Sequence, residues 1–122
     1  MSIIQRSAVR LSATSSVRVF TTETVPGYRI TQTHGLVSGS TVRTRNVVND
    51  LFSSVKAVVG GELELYTQLL VESREEAMER LKEAARVAGA NAVVACRVST
   101  SNIAPQASEV LIYGTAVSVE KD

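Results

Sequence analysis

The sequence predicts an α+β fold: an antiparallel sheet with a long helix and a shorter helix packed on it, in the order β-β-α-α-β-β. Three observations carry this. Alternating, β-rich segments stand at both ends of the chain. A stretch of about 27 residues in the middle repeats apolar or small residues at helical spacing. The segment "AGANAVV", 88–94, turns that helical pattern abruptly into a strand pattern. The 122-residue length suits one domain, and 44% hydrophobic with 20% charged residues is ordinary for a globular chain. Residues 1–17 read as an N-terminal extension and 18–122 as the domain.

Taken in order, "VRVFTT" (17–22) alternates and reads as a strand. "VPGY" (25–28) is a turn signal, because Pro26 sets φ for the second turn position and Gly27 can take positive φ at the third. "YRITQTH" (28–34) alternates again. Gly35 and Gly39 in "HGLVSGS" suggest a bend or bulge, with 41–45 as a short strand extension. Asn46 is a good N-cap for a helix carrying Val47, Leu51, Val55 and Val58 on one face and ending at Gly60-Gly61.

The long helix runs from about Glu62 to Ala88. Its stripe is Tyr66, Leu70, Ser73, Ala77, Leu81, Ala84 and Ala88, widened by Leu69 and Ala85. The mean step is near the 3.6 of a helix lying on a globular core, and no heptad seam survives along it. Gly89 sits where a helix stops in the left-handed region, and Asn91 suits local backbone bonding in the reversal that follows. The last two strands are expected over 91–100 and 109–120, with a loop holding Pro105 between them. In the final strand Val110, Ile112 and Ala116 occupy one face, and Leu111, Tyr113, Val117 and Val119 the other. An antiparallel strand usually keeps one wet face, so two dry ones imply a helix on one side and a neighbouring subunit on the other.

Charge is asymmetric: residues 1–56 carry a net +5 and residues 57–122 a net −4. The halves are expected to pair with each other within or between subunits. Scattered arginines and 4% aromatic residues leave few stacking platforms, so no nucleic-acid partner is expected. No stretch approaches the ~20 apolar residues of a membrane helix. Cys96 is the single cysteine, so no internal disulfide can form, and a cytoplasmic location is expected. Arg6, Arg10 and Arg18, with no acid before Glu23, also match the composition of a mitochondrial transit peptide.

Catalytic and metal chemistry find few residues. His34 and Cys96 are the only His and Cys, so metal binding would need symmetry-related copies of them, or glutamates, around a shared axis. Gly60-Gly61 before the long helix resembles a phosphate cradle, but Glu62 and Glu64 already occupy its first turn. Arg43 and Arg45 share a face of an extended segment and want a carboxylate or an anionic substrate.

The blocks "TTETVPGYRI", "GLVSGSTVRTRNVVND", "VVGGELELYTQLLVESREEAMERLKEAARVAGANAVVACRVSTS" and "EVLIYGTAV" resemble the YbjQ-like family, a bacterial group labelled as a heavy-metal-binding domain. The likeness covers about Val19 to Val119. It implies a compact α+β subunit and a closed homo-oligomer, a pentameric ring. Within the matching blocks, Arg43, Arg45, Asn46, Glu62, Tyr66, Arg74, Asn91, Tyr113 and Thr115 are the candidates for an interface or a ligand pocket. The expected protein is non-catalytic and associates with itself, with a small ligand between subunits. Metal binding and an enzyme for a small anionic substrate are the alternatives.

Overall fold

The computed structural model describes residues 16–44, 62–105 and 107–122. They form strands β1 (Arg18–Val19) and β2 (Tyr28–Thr44), helix α1 (Glu62–Val87), and strands β3 (Ala92–Ala104) and β4 (Ala107–Lys121). The sheet order is β1-β3-β4-β2. β4 runs antiparallel to both β2 and β3, whereas β1 lies parallel to β3.

This corrects the expected architecture. Among the described residues the order is β-β-α-β-β with one helix, and the sheet is mixed rather than antiparallel. The parallel pair arises because β1 docks beside β3, where Phe20 N–H donates to the Val93 carbonyl at 2.8 Å. That partner lies more than 70 residues along the chain, and alternation within a strand says nothing about its direction. The shorter helix expected over 46–59 falls outside the described residues.

The turn after the first strand matches its sequence signal. Tyr28 N–H donates to the Val25 carbonyl at 3.0 Å across Pro26-Gly27, and Gly27 has φ +85°, the positive value a type II turn needs. β2 continues unbroken through the glycines, and of the bend or bulge expected in 34–40 it is a bulge that forms, at His34 beside Gly35. Its register against β4 shifts at Thr31 and at His34, each an extra residue. Gly39 serves a different purpose. A Cβ there would collide with the Ala77 carbonyl oxygen and the Leu81 amide nitrogen, so glycine lets the backbone of α1 rest on β2.

Among the described side chains of α1 the buried ones are Leu69, Ser73, Ala77, Leu81 and Ala85, each four residues apart. The expected stripe is right at its centre and rotated at its ends: Leu70 is 46% exposed and Ala88 is exposed. Rows of every fourth residue wind obliquely around a helix, so α1 crosses the sheet at an angle along such a row. Thr41 of β2 is buried at that crossing and donates through Oγ1 to the Ser73 carbonyl at 3.1 Å. Ser73 Oγ in turn donates to the Leu69 carbonyl at 2.9 Å, so neither buried hydroxyl is left unpaired.

The helix ends as its sequence directs. Gly89 has φ +92°, its N–H bonds to the Arg86 carbonyl, and Ala90 N–H reaches back to Ala85. This pair of bonds is a Schellman stop, and the small Ala85 and Ala90 share the core beneath it.

Beyond the reversal, β3 and β4 run further than alternation suggested and meet at Pro105, so the expected 101–108 loop is mostly strand. The core has two parts. Val93, Cys96, Val110, Ile112 and Ala116 meet α1 on one face. On the opposite face Val25 and Phe20 close over Ala92, Val94, Val117 and Val119. One half of that second face is therefore covered by residues 20–27 of the same chain.

Candidate functional site

Residues 20–27 cross the sheet as a strap, and its anchors are backbone bonds. Ala95 N–H donates to the Thr22 carbonyl at 2.8 Å and Cys96 N–H to the Phe20 carbonyl at 3.0 Å. Both donors lie in a bulge of β3, where the register shifts between Val94 and Arg97 and Ala95 takes φ +54°. A left-handed alanine costs about 1–2 kcal/mol, which the strap's bonds to the bulge offset. Arg97 adds a side-chain tie, its Nη1 donating to Thr21 O at 2.9 Å and Cys96 O at 2.8 Å.

Under the strap's two ends lies a cleft of about 230 Å³, lined by Ser16, Arg18, Phe20, Val25, Tyr28, Asn91, Ala92 and Val119. Asn91 frames it with a side chain tied to the backbone of β4. Its Nδ2 donates to the Val119 carbonyl at 3.0 Å, and its Oδ1 accepts from Val119 N–H at 2.8 Å. Both ends of the amide are spent on holding the helix-to-strand reversal against β4, the structural role its place in "AGANA" suggests.

The other sequence candidates are dispersed. Arg43 faces α1, with Nη2 2.8 Å from Glu76 Oε2, and Arg80 holds the other oxygen of that carboxylate. The basic first half thus meets the acidic helix within one chain, and Arg29 with Glu120 repeats the pattern at 2.9 Å. Arg74 is exposed on α1. Tyr113 and Thr115 lie on β4, on the sheet face away from α1. Arg45 and Asn46 lie outside the described residues, as do the side chains of Glu62 and Tyr66, whose backbones belong to α1. Arg18, Phe20, Val25 and Tyr28 line the cleft and were not singled out by sequence. Their only signal was membership of a strand and a turn.

The Arg43 hydrogen bond, the charge of Arg80 and that of Arg43 hold the Glu76 carboxyl below its ordinary value of 4.5, with desolvation opposing them. Because the folded-state value is the lower one, Glu76 stabilises the fold above the ordinary value. That contribution is lost as pH falls through the depressed value. Glu76→Gln should therefore flatten the acid limb of thermal stability measured from about pH 3 to pH 7. An acid limb identical to that of the unaltered protein would remove this role from Glu76.

A family model described as "Putative heavy-metal-binding" matches residues 17–120. A UPF0145 protein of Acinetobacter baylyi is 55% identical over 96 residues, covering 79% of this chain and 89% of the relative. The chain belongs to the YbjQ-like family. Another UPF0145 protein, from Thermococcus kodakarensis, is 42% identical over 112 residues, covering 92% and 99% of the two chains. The fold also resembles a crystal structure of a DUF74-family protein of unknown function from Pediococcus pentosaceus. The TM-score is 0.51 and identity 17%, over 84% of this chain and 96% of that one.

The metal-binding description can be tested against the side chains. No group of three or more His, Cys, Asp or Glu residues gathers among the described residues. Cys96 is 4% exposed, and burial pushes its thiol up, away from the thiolate a soft metal requires, with the charge of Arg97 opposing. His34 Nε2 lies 2.8 Å from Ser118 Oγ, which itself bonds to the Gly89 carbonyl. Ser118 thus ties the helix stop to β4, and His34 of β2 is engaged with that serine. The described residues of one YbjQ-like chain do not fit a heavy-metal site. No helix among them is long and apolar enough to cross a membrane.

Proposed function

We infer that this YbjQ-like protein is a non-catalytic, self-associating protein whose sheet meets further copies of itself in a closed ring, the pentamer implied by the family resemblance. The observation that carries the reading is the half of the sheet face opposite α1 that none of the described residues covers. Cross-strand partners there include Leu36 with Thr115, Ser38 with Tyr113, Ser40 with Leu111 and Val42 with Glu109. Leu36 is 78% exposed, and Val42 and Tyr113 are also exposed. This half lies beyond the strap and carries apolar groups interleaved with small hydroxyls, a surface that packs closely against another sheet.

Strand edges support the same reading. Among the described residues, β2 has a strand on one side only, and so does β3 beyond the strap, from Arg97 to Ala104. Val98 and Ile103 are exposed along this outer part of β3. Open edges invite pairing with another chain. The two edges are different surfaces, so β2 of one copy against β3 of the next is a head-to-tail contact, the kind that closes into rings. Tyr113 and Thr115 would then line the interface, whereas Arg43 is engaged within its own chain. The free Cys96 suits the reducing cytoplasm, where we place the protein.

Light scattering should return a multiple of the 13.1 kDa chain mass, five-fold for the pentamer. Leu36→Arg should shift the population to single chains that keep their helical circular dichroism. A wild-type mass of 13.1 kDa at micromolar concentration would overturn the reading.

A further inference from the structure

We propose that the cleft under the 20–27 strap binds a small carboxylate with a flat apolar body. The carboxylate meets the Arg18 guanidinium and the body rests among Phe20, Tyr28, Val25 and Val119. The cleft is built within one chain, so this proposal stands apart from the assembly reading.

The lining sorts into two kinds of surface. Val25 and Ala92 belong to the second core cluster, with Phe20 and Val119 packed against it, and together they make the cleft's apolar floor and wall. Tyr28 supplies a second aromatic ring and Arg18 the charge. The Asn91 amide is oriented by its bonds to Val119, one at each end, which leaves its second N–H as a further donor beside the cleft. Neither the Arg18 guanidinium nor the Tyr28 hydroxyl has a partner among the described residues, whereas Arg29, Arg43, Arg80, Arg86 and Arg97 are all engaged. Among the described residues, Arg18 is thus a cation at the mouth of an apolar hollow with its hydrogen bonds unspent.

That combination selects a ligand class. A single guanidinium matches the two oxygens of one carboxylate and leaves a phosphate dianion undercompensated. Apolar and aromatic walls favour a flat hydrocarbon body over a sugar, whose hydroxyls would lose water without replacement. The volume of about 230 Å³ lies below that of pockets for drug-sized molecules, so the ligand is small. Few atoms supply little binding energy, and affinity is expected in the micromolar to millimolar range.

The probe is phenylacetate, compared with the uncharged phenylacetamide, titrated into the full chain and followed by amide NMR shifts. Phenylacetate should perturb residues 18–28, 91–92 and 119, and bind at least about ten-fold tighter than the amide, in keeping with the strength of charge-assisted bonds. Arg18→Gln should abolish that preference while leaving the spectrum of the remaining residues folded, since Arg18 is exposed. Tyr28→Leu should weaken both probes alike by removing an aromatic wall. Equal binding of acid and amide, an unchanged preference in Arg18→Gln, or no perturbation of these residues at millimolar phenylacetate would overturn the proposal. Light scattering on the same samples reports assembly separately, so either reading can fail while the other stands.

Discussion

Gly39→Ala should unfold this protein more readily than any other single methyl group added to its sheet. The new Cβ would be driven into the Ala77 carbonyl oxygen and the Leu81 amide nitrogen, with the Arg80 carbonyl carbon 2.9 Å away. These are backbone atoms in the middle of a regular helix, so no rotamer change can relieve the contact. Either α1 lifts from β2, breaking the Thr41 bond to Ser73 and the Arg80 bond to the Ser40 carbonyl, or β2 bends away from β4. Overpacking in a close-packed core costs about 1–3 kcal/mol when side chains can adjust, and a larger loss is expected here. For a domain of this size that means a fall in Tm of about 10 °C or more. Ser38→Ala, on the opposite sheet face, is the control and should change Tm little. Thermal and urea denaturation followed by circular dichroism would decide the matter. A Gly39→Ala variant within about 0.5 kcal/mol of wild type would mean that α1 does not lie against β2 in this way.

Leu81→Ala is expected to have the next largest effect. Leu81 is 0% exposed, and its cluster brings Ile112 and Val93 of the sheet together with Ala77 and Ala85 of α1. With alanines above and below it on the helix, Leu81 is the one large buried side chain in that stretch of α1. Removing it leaves a cavity that small neighbours fill poorly, and such truncations cost about 2–5 kcal/mol. Leu70→Ala is the informative partner, because helical spacing alone places Leu70 and Leu81 in one stripe. Leu70 is 46% exposed, so its truncation should cost well under half as much in the isolated chain. Equal costs at the two positions would contradict the oblique seating of α1.

Local features were legible because each depends on a few neighbouring residues. The turn at Val25–Tyr28 and the helix stop at Gly89 follow from glycine's access to positive φ, and both formed where expected. The helix itself follows from its periodicity, and so does burial at Ser73, Ala77 and Leu81. The family was legible from the same blocks, which carry the turn, the stop and the strand that follows.

The site was less legible. Of the polar candidates whose side chains are described, only Asn91 borders the cleft, and its amide is oriented by Val119. Arg43 and Arg45 were read as wanting a carboxylate or an anion, with the acidic helix of a neighbouring subunit as a candidate partner. Arg43 instead finds Glu76 across the helix-to-strand contact, 33 residues away. Arg18 and Tyr28 come from either end of the strap and meet Asn91, Ala92 and Val119 only because the strap folds over β3 and β4.

By itself the sequence determined the secondary elements with short-range signals: the type II turn, the long helix, its glycine stop and the alternating strands around it. Tertiary structure alone decided that β1 runs parallel to β3, that α1 is rotated so that every fourth residue is buried, and that Gly39 is a contact point rather than a bend. The physical reason is the range of the forces involved. Backbone dihedral preferences and side-chain periodicity act within about one turn or a few strand residues. Strand direction, helix azimuth and the joining of cleft walls depend on partners brought together by packing across the whole chain.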